Sequence, residues 1–82
     1  MKRGKQFRDD EFIQLLAARL RELCEAKGIK HEKLAEKAGF DTRQIGRILR
    51  GESNTSISHF AQVCRALEMH PSEVLEGVSF KF

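Results

Sequence analysis

Apolar residues recur at helical spacing along most of this chain. Phe12, Ile13, Leu16, Leu20, Leu23 and Cys24 form one such stripe, which predicts a helix running to about Lys27. Asp9 or Asp10 stands where a side-chain oxygen caps its first turn. Gly28 follows as a stop, since glycine takes the left-handed conformation cheaply. A shorter pattern, Leu34, Ala35 and Ala38, predicts a second helix over 31–38, ended by Gly39. Asp41 then caps a third, over about 42–50, ended by Gly51. Residues 52–56, ESNTS, carry turn chemistry. Ser56 caps a fourth helix, about 57–68, with Ile57, Phe60, Val63, Cys64 and Leu67 expected to point inward. HPSEVLEG predicts a last short helix with Pro71 in its first turn, where a missing N–H is harmless. In the tail GVSFKF, the apolar residues Val78, Phe80 and Phe82 alternate with the period of a strand.

The expected fold is therefore all-α: five short helices over 9–76, between an N-terminal arm, 1–8, and a short extended C-terminal tail, 77–82. At 82 residues the chain makes one small domain, about the least that buries a self-sufficient core. There is no internal repeat and no low-complexity segment. Helices two and three are joined only by Gly39, Phe40 and Asp41. A turn that short, containing glycine, sets two helices at a steep angle.

Charge alters the picture through its distribution. A net charge of +3 and a pI of about 9.1 are weak evidence for an anionic partner. Lys2, Arg3, Lys5 and Arg8 form one basic block, and Arg43, Arg47 and Arg50 a second with no acid between residues 42 and 51. Glu52, Glu68, Glu73 and Glu76 outweigh Arg65 and Lys81 in the remainder. Such local blocks are what a directed electrostatic face needs. At 3.6 residues per turn, Arg43, Arg47 and Arg50 fall within roughly 60° of one another, opposite Ile45, Ile48 and Leu49. Gly46 lies beside the arginines, and its helix cost of roughly 1 kcal/mol against alanine suggests that a groove wall approaches there. Guanidinium forks match phosphate, and guanine O6 and N7, bidentately. One face glued to the core and one presenting arginines is the shape of a recognition helix.

Other chemistries find little support. No apolar run approaches the ~18 residues of a membrane span, and the basic N-terminus lacks the apolar stretch of a signal peptide. Cys24 and Cys64 do not make a disulfide framework, so a reducing cytoplasm is expected. With His31, His59 and His70 they match no zinc spacing, and both fall on apolar stripes. His59 and His70 are expected at the surface or at caps. No glycine-rich phosphate loop or convergent acid–base pair appears. No catalytic residue, metal, cofactor or small-molecule ligand is expected, and the chain is not expected to be an enzyme.

The stretch GIKHEKLAEKAGFDTRQIGRILRGESNTSISHFAQVCRALEMHPSEVL resembles the Cro/repressor-type (XRE) helix-turn-helix family of bacterial and phage transcription regulators. Its markers are LAEKAGF, IGRILRG and ALEMHPSEVL, in order and with family spacing, and the likeness runs from about Phe12 to Leu75. It implies a five-helix, lambda-repressor-like domain that binds a palindromic operator in double-stranded DNA as a homodimer. By position it implies base contacts from Thr42, Arg43 and Arg47, and DNA-backbone contacts from His31, Gln44, Arg50 and Asn54.

The chain departs from the family pattern in three respects. Lys30 stands where Ser or Thr usually caps the second helix, and ammonium cannot accept a hydrogen bond. Cys24 and Leu49 stand where many members pair a buried Arg with a Glu. Replacing such a pair by an apolar contact is often neutral or stabilising, so Cys24 is expected against Leu49. Thr55 stands where Pro is common, which predicts a less rigid loop.

Some alternatives stay open. The basic arm is either a disordered terminus or a groove-binding arm. The tail either folds back on helix one or pairs across a two-fold axis with helix five. With no effector domain in view, occupancy is expected to follow the protein's own concentration. The competing functional reading is a protein-interaction module or antitoxin on the same fold, with a toxin or other protein as its main ligand.

Overall fold

The structure is a computed structural model and describes residues 7–80. The arm residues Lys2, Arg3 and Lys5, and Lys81 and Phe82 of the tail, lie outside the described residues. Those described form five helices and no strand: α1 (Asp10–Lys27), α2 (His31–Ala38), α3 (Thr42–Leu49), α4 (Ile57–Leu67) and α5 (Pro71–Glu76).

Side chains adjacent in sequence start most of these helices. A helix leaves its first N–H groups without partners, and a cap supplies an acceptor. Asp9 accepts from the Phe12 N–H at 3.0 Å and Asp41 from Gln44 at 2.8 Å. Ser56 accepts from the His59 N–H at 3.1 Å. At α5 the cap is His70, whose Nδ1 accepts from the Ser72 N–H at 3.1 Å, while Glu73 accepts from the His70 N–H at 2.9 Å. At α2, Lys30 makes no side-chain cap bond, as its chemistry requires. The helix still begins at His31 because packing holds it: Leu34, Ala35 and Ala38 are all buried.

The core joins all five helices. Leu20, Leu34, Ile45, Leu49, Val63, Cys64, Leu67 and Val74 are fully buried. α2 packs on α3 and α4, α1 on α3 and α5, and α4 on α5. Cys24 and Leu49 lie in the same buried cluster, an apolar solution where the family pattern places charges. Both cysteines are free, and burial pushes both thiols above their ordinary pKa.

Several details differ from the sequence expectation. Ile57 is 87% exposed, not inward. It sits at the edge of the apolar arc of α4, on the first residue of that helix, where the helix runs past the core. α3 ends at Leu49 and α4 at Leu67, so Arg50 and Glu68 are cap residues. Glu68 takes the left-handed conformation at φ 58°, where glycine is the usual choice. Phe80 folds back, its ring edge-on to Phe12 with centroids 5.0 Å apart.

The uncapped start of α2 gives a direct test. Lys30→Ser supplies the missing acceptor and is expected to stabilise the domain by about 0.5–2 kcal/mol. Thermal unfolding should show a rise of roughly 4–8 °C per kcal/mol for a domain of this size. An unchanged or lower Tm would mean the α2 N-terminus gains nothing from a cap.

Candidate nucleic-acid interface

α3 is clamped from three directions. Its start is fixed by the turn Gly39–Phe40–Asp41. Gly39 adopts φ +80°, with its N–H on the Ala35 carbonyl at 2.9 Å, and Gln62 of α4 donates to the Ala38 carbonyl at 3.2 Å. The Phe40 ring meets the His59 ring with centroids 5.0 Å apart, tying the turn to α4. Its inner face is Ile45, Ile48 and Leu49, at most 5% exposed. Its end is held by α1: Arg21 donates to the Leu49 carbonyl at 2.5 Å, and Gln14 to the Gly51 carbonyl at 3.0 Å. Gly51 has φ +73°, and a Cβ there would lie 2.5 Å from the Gln14 amide nitrogen. The positive φ asks for glycine there, and a side chain would also push the Gln14 amide off its bond.

Held this way, α3 turns Thr42, Arg43 and Arg47 to solvent. Among the described residues, the Arg43 and Arg47 guanidinium groups enter no hydrogen bond or ion pair within the chain. Gln44 is half-buried, and its backbone N–H is the one that Asp41 holds. His31 is exposed at the first residue of α2. Asn54 is exposed, but its amide donates to the Phe7 carbonyl at 3.3 Å, so it anchors the start of the described chain to the loop after α3.

Arg50 is placed differently. Its Nε donates to Glu52 Oε2 at 2.9 Å and its Nη2 to Oε1 at 3.4 Å. The arginine face is therefore not free of acid: the turn at Gly51 brings Glu52 back beside it, one residue beyond the acid-free run. The hydrogen bond from Arg50, helped by the charges of Arg50 and Arg47, holds the Glu52 carboxyl below the usual carboxylate range.

Gly46 also has another role than expected. It is buried, and the atoms a Cβ would meet belong to Arg50, with Nη1 at 2.9 Å. The Arg50 guanidinium itself occupies the space that was expected to admit a groove wall.

Sequence spacing missed Glu52, Arg21 and Gln14. Glu52 is visible once Gly51 is read as a left-handed turn. Arg21 and Gln14 act on residues 28 and 37 positions away, beyond any local pattern. Among the described residues, no group of three or more His, Cys, Asp or Glu could hold a metal ion. No described helix is long and apolar enough to cross a membrane.

The packed α2–α3 pair with its outward-facing arginines lies inside residues 15–76, the span matched by the helix-turn-helix domain family. The chain belongs to the Cro/repressor-type helix-turn-helix family. Among solved members, the restriction-modification controller protein C.AhdI of Aeromonas hydrophila is 35% identical, with a TM-score of 0.73 over 76% of this chain and 94% of that one. The clp gene regulator ClgR of C. glutamicum is 29% identical, with a TM-score of 0.75 over 79% and 84%. The restriction-modification controller C.Esp1396I, solved as a tetramer with its natural 35 base-pair operator, shares the fold. Its identity is 22% and its TM-score 0.79, over 90% of this chain and 92% of that one. No curated protein matches the chain significantly.

Because a Cβ at position 46 meets only the movable end of Arg50, Gly46→Ala is expected to be tolerated. It should raise stability by up to about 1 kcal/mol, the helix preference of alanine over glycine. A chemical-denaturation midpoint well below that of the wild type would show that the core, not Arg50, demands glycine there.

Proposed function

We propose that this family member is a sequence-specific DNA-binding transcription regulator, acting as a repressor. It binds a palindromic operator as a homodimer, with α3 in the major groove. The observation that carries this reading is the outward set Thr42, Arg43 and Arg47 on a helix fixed at both ends. The major groove, about 12 Å wide, admits an α-helix. Arginines projecting from a fixed helix reach base edges, where a guanidinium takes guanine O6 and N7 together. His31, Gln44, Arg50 and Asn54 border this set and serve the flanking phosphates, which set register rather than sequence.

A homodimer follows from reach. One recognition helix reads few base pairs, and two copies on symmetric half-sites supply the rest. Phe80 lies on α1; in this reading α5, where Leu75 is 36% exposed, supplies the dimer surface. The operator complex of C.Esp1396I gives an example of this fold on DNA. The regulator names of C.AhdI and ClgR support transcription control. No catalytic step and no small-molecule ligand enter this reading, and an intracellular site of action follows from a DNA target.

The test is selection of duplexes from a random pool, then affinity for the winner at two salt concentrations. An enriched palindrome whose binding weakens steeply with salt is expected. Arg43→Ala or Arg47→Ala should each cost about 1–3 kcal/mol and relax preference at one base position, whereas Arg50→Ala should weaken all sequences alike. No enrichment, or equal losses on every sequence, would defeat the assignment and favour a protein partner.

A further inference from the structure

We propose that Glu52 is a built-in competitor for Arg50, setting how much of the sequence-independent DNA affinity this arginine contributes. The inference rests on the DNA-binding reading above.

The geometry points to competition. A guanidinium meets phosphate best through two parallel N–H donors on one edge. On Arg50, the Nε–Nη2 edge already lies on the Glu52 carboxylate, at 2.9 and 3.4 Å. The remaining nitrogen, Nη1, sits over Gly46, 2.9 Å from where a Cβ would be. The side chain is thus folded down along α3 instead of reaching out.

The carboxylate is also held in place. The Glu52 N–H donates to the Arg47 carbonyl at 2.9 Å, so its backbone closes the last turn of α3. Gly51 before it is bound by Gln14 at 3.0 Å. Gly46, Gly51 and Glu52 together build a seat for one guanidinium. The hydrogen bond from Arg50 holds the carboxyl below the usual carboxylate range, so the seat is charged at neutral pH.

A phosphate beside α3 that takes the Nε–Nη2 edge of Arg50 must displace the Glu52 carboxylate. The ion pair is exposed, 58% and 54% for the two side chains, so it is weak enough to be displaced. Displacement offsets part of what the phosphate contact gains. It also leaves an anion that retains a cation, which reduces the net release of counterions. Among the described residues Arg43 and Arg47 make no hydrogen bond to an acid, and Arg47 feels Glu52 only through its charge.

The experiment is a double-mutant cycle on the full chain: wild type, Glu52→Gln, Arg50→Ala and both together. Affinities are measured for the duplex enriched from the random pool and for a scrambled duplex, across a salt series. Circular dichroism checks that each variant folds. Glu52→Gln is expected to tighten both duplexes about two- to fivefold, with a salt slope steeper by about one. In the Arg50→Ala background the same change should have little effect.

An equal gain in both backgrounds would mean that Glu52 merely repels phosphate, and would overturn the competition. Weaker binding by Glu52→Gln would mean that Glu52 presents Arg50 to DNA, and would overturn it too. Unchanged affinity with wild-type binding intact would remove the competitor while sparing the DNA-binding reading. Wild-type protein that binds neither duplex would bring down both.

Discussion

Everything α3 presents outward depends on the three side chains it turns inward. Eight residues are too few for a helix to persist in water, where even favourable sequences need about 12–15. Ile45, Ile48 and Leu49 supply what the backbone cannot: each buried aliphatic side chain contributes roughly 1.5–3 kcal/mol. The Leu49 carbonyl beyond the last intrahelical bond would be left without a donor, and Arg21 reaches across from α1 to provide one. The Asp41 carboxylate does the corresponding service at the start. A helix so held cannot rotate or fray without exposing apolar surface or orphaning polar groups. The directions of Thr42, Arg43 and Arg47 are therefore fixed by the core beneath them.

The replacement of a buried ion pair by Cys24 and Leu49 belongs to the same logic. Taking two charges out of water is expensive, and their attraction repays it only with excellent geometry. Here Cys24 of α1 and Leu49 of α3 share the apolar cluster, and the charged Arg21 lies at a helix-end carbonyl. Desolvation of a full guanidinium is avoided, while its hydrogen-bonding capacity still serves the joint. α1 uses a second arginine the same way: Arg19 donates to the Val74 and Glu73 carbonyls of α5 at 2.9 and 3.0 Å. Its polar side, which reads as a solvated face by charge alone, is a set of clamps on the ends of two other helices.

Legibility in the sequence followed the range of the interaction. Helix starts at Asp41 and Ser56, and at Asp9 as one of two candidates, were readable because a cap acts over two or three residues, whereas His70 was read only as a surface or capping residue. The apolar stripe of α1 was readable because 3.6-residue periodicity is local. Ile57 misled because spacing gives an angle on the helix and not how far the core extends along it. Gly46 misled because its cost was assigned to an outside partner, while the neighbour that fills the space is Arg50, one turn on. Arg21 and Gln14 could not be read as clamps, since their partners are brought near only by the fold. Their charge or amide says that a hydrogen bond is available, not where it goes.

The three arginines of the candidate interface are thus of two kinds, a distinction that net charge and helical angle both conceal. Arg50 already holds an exposed carboxylate, so it must exchange one anion for another when a phosphate arrives. Arg43 and Arg47 are unengaged and lose rotamer freedom on binding, at a cost of about 0.5–1.5 kcal/mol for each immobilised side chain. That cost is recovered only when a guanidinium finds an acceptor pair in the right place. Free, flexible arginines therefore reward a matching base edge and gain less elsewhere, which suits them to discrimination. An arginine exchanging carboxylate for phosphate gains a similar amount on any duplex, which suits it to positioning. In the proposed reading, the division between base-reading and positioning roles on this face rests on the single acid that the turn at Gly51 returns to it.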